Sequence, residues 1–440
     1  LSPAAQLRGN APNLTAFDPD LQIPAVHQWN LSVQRELPFG AVLEAAYIGR
    51  RGTHLLRSYD LNQINADPIL GDFRAMQSNL AKGCNSDGLN CPVGVTGQLI
   101  SIVNYPTSVP NSPKGPLTQA FVNSDSLTQL NTNAAGAFAE SVEGQTLALR
   151  LRPNQQFAQI AYIDAGGDSY YHALQVTLRK RFEKGLLFTT AYTVGKSIDV
   201  MSVDPVAATS GGAVNTTTVR APTDIRNWRN EKGRSDFDRR HVFAASSLYE
   251  LPFGKGRGIG GNWNGLVNAF LGGWNVNGIF NAMSGEPFTV RSGSRTSNNA
   301  HESRVALTGA TPKAQLTFPS GVVGPVVFPN TDGFALPLPG ENGVGRNIFE
   351  APGYWNFDFG VQKVFRLTER FKLQFRSEFF NAFNHPNFDN PRDASTGSPS
   401  FQSSLFAQSC CSTVAPPSTQ TVIQTGEAAR VIQFALKLTF

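Results

Sequence analysis

The densest run of side chains able to do chemistry is NWRNEKGRSDFDRRH, which gathers Arg229, Glu231, Lys232, Arg234, Asp236, Asp238, Arg239, Arg240 and His241 within residues 227–241. Guanidinium groups and carboxylates alternate here and end on an imidazole. Arg234, Asp236, Asp238, Arg239, Arg240 and His241 therefore fit the binding of an anionic ligand or a cation. They fit better an internal ion-pair network that fastens a loop to the barrel rim, the commoner outcome for so mixed a run. Catalytic signatures are missing: the six histidines show no HExxH spacing, no GxSxG nucleophile motif occurs, and nothing in the sequence pairs its carboxylates. No enzyme, no metal site and no cofactor is expected. Of the four cysteines, Cys84 and Cys91 bracket NSDGLN while Cys410 and Cys411 are adjacent. With no CxxC pair to suggest zinc, a Cys84–Cys91 disulfide is favoured, whereas Cys410 and Cys411 are left open between a vicinal ring and free thiols.

These residues are positioned by strands. Read by twos, the last residues RVIQFALKLTF put Ile432, Phe434, Leu436, Leu438 and Phe440 on one side and Gln433, Ala435, Lys437 and Thr439 on the other. The same alternation runs through WNLSVQREL and AVLEAAYIG, through YYHALQVTLRKRF and LLFTTAYTV, through HVFAASSLYEL and GGWNVNGIFNA, and through YWNFDFGVQKVF and FKLQFRSEFF. The predicted strands lie near 26–37, 41–55, 170–182, 186–199, 240–251, 273–290, 353–366, 370–384 and 429–440. The fold class is all-β: an antiparallel meander of about nine strands forming part of a large transmembrane β-barrel with long extracellular loops.

Composition agrees. Only 16% of the 440 residues are charged, while Gly (41), Phe (31) and Pro (28) are abundant, a poor recipe for helices and a usual one for strands and loops. The formal charge of +5 is dispersed, so nucleic acid is not expected as a partner. No stretch approaches the roughly 18 apolar residues of a membrane helix, and LSPAAQLRGN lacks the basic start and apolar run of a signal peptide.

Strands of about 10–13 residues exceed the average of a soluble sandwich and suit a tilted crossing of a hydrocarbon layer about 25–30 Å thick. Aromatic pairs sit towards strand ends, as in Tyr170-Tyr171, Tyr354-Trp355 and Phe379-Phe380, like an interfacial girdle. Connections alternate strictly. PFG, EKG, a glycine-rich segment of about twenty residues and RLTER follow the odd strands, while roughly forty to over a hundred residues follow the even ones. Short turns on one side and long loops on the other put Phe440 at the periplasmic edge and the start of the chain outside the cell. Because single-chain bacterial barrels have an even strand number, the 440 residues are expected to be the C-terminal portion of a longer barrel domain, with plug and N-terminal module absent. On the polar face, Asn275, Asn277, Asn281, Gln362, Gln374, Arg376 and Glu378 are expected to line the lumen.

The stretches SYYHALQVTLRKRFEKGLLFTTAYTVGKSID, RSDFDRRHVFAASSLYELPFGKGRG, GGWNVNGIFNAMSGEPFTV and FRSEFFNAFNHPNFDNP, with the terminal aromatic, resemble the Oar-like β-barrel domain of TonB-dependent outer-membrane receptors. The resemblance spans nearly the whole chain and is weak between about Leu61 and Ala165. It implies a cell outer-membrane location and a 22-stranded barrel preceded by a regulatory module and a plug. It also implies uptake of a bulky nutrient such as an oligosaccharide, peptide or metal chelate, energised by the TonB complex. The partners it implies are outer-membrane lipid, the plug, that complex, and the barrel-insertion machinery, which reads the terminal Phe440. The chain itself shows no TonB box, plug or regulatory module. The alternative is a surface-exposed outer-membrane protein whose long loops serve adhesion or envelope assembly.

Overall fold

The structure is a computed structural model describing residues 11–102, 117–145, 151–202, 209–210, 213–214, 222–299, 302–320, 325–329, 331–388, 390–391, 401–402, 406 and 429–440. Nine long strands carry it: β1 (Ala25–Leu37), β2 (Ala41–Asp60), β3 (Ile160–Glu183), β4 (Leu186–Asp199), β5 (His241–Glu250), β6 (Trp274–Met283), β7 (Tyr354–Arg366), β8 (Lys372–Phe380) and β9 (Val431–Thr439). They form one sheet in sequence order, each long strand antiparallel to the next. Two short segments join it, Leu14–Phe17 parallel to the start of β3 and Gly233–Arg234 beside the end of β4. Among the described residues no helix is long and apolar enough to cross a membrane, a statement that does not bear on barrels.

The turns follow from backbone chemistry. Lys184 and Gly185 both take positive φ (52° and 82°), the type I′ geometry whose twist matches that of the strands it joins. At the opposite edge β8 stops four residues short of the expected 384, where Asn381 and Asn384 turn left-handed (φ 47° and 53°). β6 likewise ends at Met283 rather than 290.

Two strands run longer than their alternation suggests. β2 continues past 55 to Asp60, and β3 begins at Ile160 rather than 170. Register shifts between Gly52 and Leu55 and between Leu55 and Arg57 explain the difference, since each irregularity changes which side the next residue faces and breaks period two. The hidden extension carries Arg57, whose Nε meets Asp164 Oδ1 at 2.6 Å, and Tyr59, whose hydroxyl donates to Asp164 Oδ2 at 2.9 Å.

Register makes nine alternating patterns into one surface. Leu31, Tyr47, Leu174 and Val194 are paired in one row, and Val33, Ala45, Val176, Tyr192, Phe243, Ala282 and Trp355 in the next. Towards the last strands, Phe359, Phe379 and Ile432 align, as do Phe375 and Leu436, and Leu373 and Leu438. Directly paired residues share a side of a sheet, so the apolar side is continuous from β1 to β9. On the outermost strands it is bare: Leu31 of β1 and Phe434 and Leu436 of β9 are 69%, 68% and 70% exposed. No second sheet covers it, the remaining described strands being two-residue pairs. An apolar surface of that extent marks a face that meets a membrane or another protein.

The long connections are folded rather than extended. After β2 come α1 (Leu70–Ala81) and α2 (Ala135–Gln145), whose Phe73, Met76, Phe138 and Val142 pack with Ile64, Ile69 and Ile100. These helices depart from the helix-poor expectation, because 16% charge over the whole chain hides a local helical period. Cys84 and Cys91 are joined by a disulfide beside α1. Cys410 and Cys411 lie outside the described residues. Between β6 and β7 a second core gathers Phe288, Val290, Val305, Phe328, Phe334 and Phe349.

Candidate functional site

The run 227–241 descends to the top of β5 at the edge of the sheet that carries the long connections. A four-residue helical turn, Trp228–Glu231, buries Glu231 (2% exposed), and the following residues pair with the end of β4. Arg234 Nε meets Asp238 Oδ2 at 2.7 Å, and its Nη1 meets Glu350 Oε2 at 2.7 Å. Burial works against the charge of Arg234, but Asp238 and Glu350 outweigh it and raise its pKa above the ordinary value. Asp238 also accepts from the backbone N–H of Ser197 at 2.7 Å, which ties this loop to β4. Asp236 accepts from Arg346 Nη1 at 3.0 Å and from Asn347 Nδ2 at 2.7 Å. Arg239 pairs with Glu286 at 2.7 Å and donates to the Ser284 carbonyl at 2.9 Å. Arg234, Asp236 and Arg239 bond partners in the connection between β6 and β7, and Asp238 bonds Arg234 and β4, the arrangement of a network that fastens loops.

Arg240 and His241 stand apart. Arg240 is exposed, and His241 shares a 2.7 Å hydrogen bond between its Nδ1 and the Tyr192 hydroxyl on the apolar side of the sheet. The structure thus brings Arg234, Asp236, Asp238 and Arg239 into one network and places Arg240 and His241 elsewhere.

Three partners were not legible in the sequence: Arg304, Arg346 and Arg291, isolated in the connection between β6 and β7. Arg304 and Glu231 form a fully buried ion pair, and Arg304 Nη1 donates to the Asn230 carbonyl at 2.8 Å. Arg346 pairs with Asp199 at the end of β4 as well as with Asp236. Burial, with Arg304 nearby, pulls the Arg291 guanidinium down to about 9, still charged at neutral pH; burial also lowers Arg304, against the attraction of Glu231. Through these bonds from Arg304 to Glu231 and Asn230 and from Arg346 to Asp199 and Asp236, this connection is held to the one before it at specific points.

The first long connection is locked to the same assembly. The backbone N–H groups of Ile64 and Ala66 donate to Asn299 Oδ1 (2.8 Å) and the Ser297 carbonyl (2.9 Å), and Arg295 pairs with Glu140 of α2 at 2.6 Å. Asp224 joins them. It accepts from Arg226 Nε and Nη2 at 3.0 and 2.9 Å and from Asn342 Nδ2 at 3.0 Å, while Arg226 also reaches Asp67. Burial disfavours the Asp224 carboxylate, yet the bonds from Arg226 and Asn342 prevail and hold its carboxyl below the usual range. A carboxyl depressed in the folded state stabilises above its unfolded value and stops doing so as pH falls through its folded one. Acidification below a pH of about 4 is therefore expected to loosen these connections. Limited proteolysis at pH 7 and pH 3 checks it: cleavage within 61–102 and 222–240 should rise at low pH, and Asp224→Asn should raise it already at pH 7.

The polar side of the sheet forms the other candidate surface. Asn275 pairs with Gln362 and Gln362 with Arg376, and Gln374 Nε2 donates to Gln362 Oε1 at 3.2 Å. Arg376 lies 3.7 Å from Glu378, Asn281 pairs with Asn356, and Asn356 Nδ2 donates to Asp358 Oδ1 at 2.9 Å. Gln433 and Lys437 of β9 extend the same side. It is a band of amides with a few charges, suited to water and hydroxyl or amide ligands and unsuited to lipid. No group of three or more His, Cys, Asp or Glu able to hold a metal occurs among the described residues.

Among curated proteins none matches. Among solved structures, the fold is similar to that of the outer membrane transporter YddB from Escherichia coli, with a TM-score of 0.39 and 6% identity, covering 98% of this chain and 34% of that one. The chain thus spans about a third of that protein's length. The family model described as the outer membrane beta barrel domain matches residues 2–433. The chain therefore belongs to the outer membrane beta barrel domain family, and its nine strands are barrel wall in the outer membrane.

Proposed function

We propose that this wall is the C-terminal part of an Oar-like, TonB-dependent receptor that imports a bulky nutrient such as an oligosaccharide, a peptide or a metal chelate. The observation that carries the reading is the polar band from Asn275 and Asn281 across Gln362 to Arg376 and Gln433, which gives a hydrated passage for a solute rich in hydroxyl or amide groups. β1 and β9 each have one paired neighbour among the described residues, and lipid-exposed sheet edges cost several kcal/mol for every unsatisfied backbone group. Further strands closing the barrel, a plug within it, the energising complex and insertion through a signal that includes Phe440 complete the proposal. The protein would act by gating and carries out no catalysis.

The test is uptake by cells expressing the full-length protein, with labelled oligosaccharides, peptides and metal chelates as probes. Uptake of one class should vanish both on deleting the gene and on inactivating the energising complex. Uptake that survives loss of that complex would rule the reading out. A second reading, surface adhesion or envelope assembly, is favoured by the interlocked connections, which present folded cores outside the membrane. It predicts that deleting residues 284–353 abolishes attachment while uptake of every probe is the same with and without the gene.

A further inference from the structure

At the edge carrying the long connections, the side of the sheet that faces lipid changes from apolar to basic. His27 pairs with Arg51, Arg51 with Tyr170, and His172 with Lys196, so His27, Arg51, His172 and Lys196 all lie on that side. Arg240 joins them by lining, with Tyr47, His172 and Lys196, a small cavity of about 260 Å³. Tyr47 donates to or accepts from His172 Nδ1 at 2.7 Å, and the Arg51 guanidinium sits 5.5 Å from the centre of the Tyr170 ring. Arg51, Lys196 and Arg240 are exposed and paired with no carboxylate among the described residues. By contrast Arg234, Arg239, Arg304 and Arg346, also at this edge, each have a carboxylate partner.

An apolar cavity of about 940 Å³ begins at the next residue in the chain, His241, which lines it while Arg240 lines the smaller one. Its wall is Phe243, Phe280 and Trp355 from the lipid-facing rows of β5, β6 and β7, and Leu316, Phe318 and Phe388 from connections that fold down over those strands. The Phe318 and Phe388 rings are 5.8 Å apart.

We propose that these adjoining surfaces form one binding site for a phosphate-bearing lipid of the outer leaflet, with the headgroup phosphate on Lys196, Arg240 and Arg51 and an acyl chain in the cavity. Two features select this occupant. Basic side chains at the border of a hydrocarbon layer are attracted to anionic headgroups, and Arg51, Lys196 and Arg240 have no carboxylate partner among the described residues to compete for them. The cavity is continuous with the lipid-facing rows, so a chain reaches it without leaving the membrane. The site lies on the side opposite the polar band and does not depend on what passes through the barrel.

The experiment uses the full-length protein in detergent. Binding of lipid A bearing two phosphates is compared with that of enzymatically dephosphorylated lipid A and of phosphatidylethanolamine, by native mass spectrometry and by the shift in thermal unfolding. Lipid A with its two phosphomonoesters should bind at least tenfold more tightly than dephosphorylated lipid A or phosphatidylethanolamine, whose one phosphodiester is neutralised by its own ammonium. Lys196→Glu with Arg240→Glu should abolish the preference while the protein stays heat-modifiable, and Phe318→Asp should weaken all three lipids. Equal binding of phosphorylated and dephosphorylated lipid A, or an unchanged preference in the folded double variant, would overturn the proposal. So would displacement of the lipid by millimolar inorganic phosphate, which would make the site one for a free anion.

Discussion

Leu436→Arg is expected to destabilise the barrel by about 2–4 kcal/mol, and Lys437→Gln beside it to change almost nothing. Leu436 is 70% exposed and pairs with Phe375 in the apolar rows, whereas Lys437 pairs with Gln374 on the polar side. In water the first change would be harmless, since it swaps an exposed leucine for an exposed arginine. In a membrane the guanidinium must be desolvated near mid-depth or must bend the strand to escape. The measurement is the outer-membrane level of folded, heat-modifiable protein, with urea titration of each variant. Equal tolerance of the two changes would mean that the sides of the sheet do not separate lipid from lumen.

Arg304→Met is expected to cost about 3–5 kcal/mol, and to cost it locally, in the long connections rather than in the sheet. Arg304 is fully buried and its partner Glu231 is 2% exposed, so removing the guanidinium strands a carboxylate out of water. The sign of the effect comes from that stranded charge more than from the lost attraction. The double variant Arg304→Met with Glu231→Leu should recover most of the loss, because two apolar side chains replace two desolvated ions. Hydrogen exchange resolves the outcome. The single variant should lose protection in residues 222–234 and 302–307 with β5 and β6 unchanged, and the double variant should regain it.

The sheet could be read from sequence because lipid enforces the pattern. Each of Phe434, Leu436 and Leu438 must face outward, and a one-residue slip would move all of them to the lumen, so period two is kept wherever a strand crosses the membrane. Beyond the membrane the constraint lapses, and the pattern is lost where β2 acquires its irregularities at Gly52–Arg57. The connections follow a different rule. Phe73, Met76 and Leu80 of α1, and Ala135, Phe138, Ala139 and Val142 of α2, are spaced by threes and fours, a helical signal that a search for alternation passes over.

The rim network was half visible. Arg234, Asp236, Asp238 and Arg239 are close in sequence, so their composition alone suggested ion pairs. Their partners Glu286, Arg346 and Glu350 lie between 47 and 116 residues away and carry no local signature. Arg240 looked like part of the same run. It parts from the run because the strand begins at His241, which fixes the chain on the outward edge while its predecessors turn into the loops. Such a separation depends on where a strand starts, and one sequence does not display that to the residue.

The central claim, that one side of the nine-stranded sheet meets lipid and the other water, is tested most directly on β9. Single cysteines placed at each position from Val431 to Thr439 are exposed, in intact outer membranes, to a charged maleimide that does not enter hydrocarbon. Gln433, Ala435 and Lys437 should label, while Ile432, Phe434, Leu436 and Leu438 should stay protected until detergent is added. Labelling without alternation, or strongest at Phe434 and Leu436, would contradict the account.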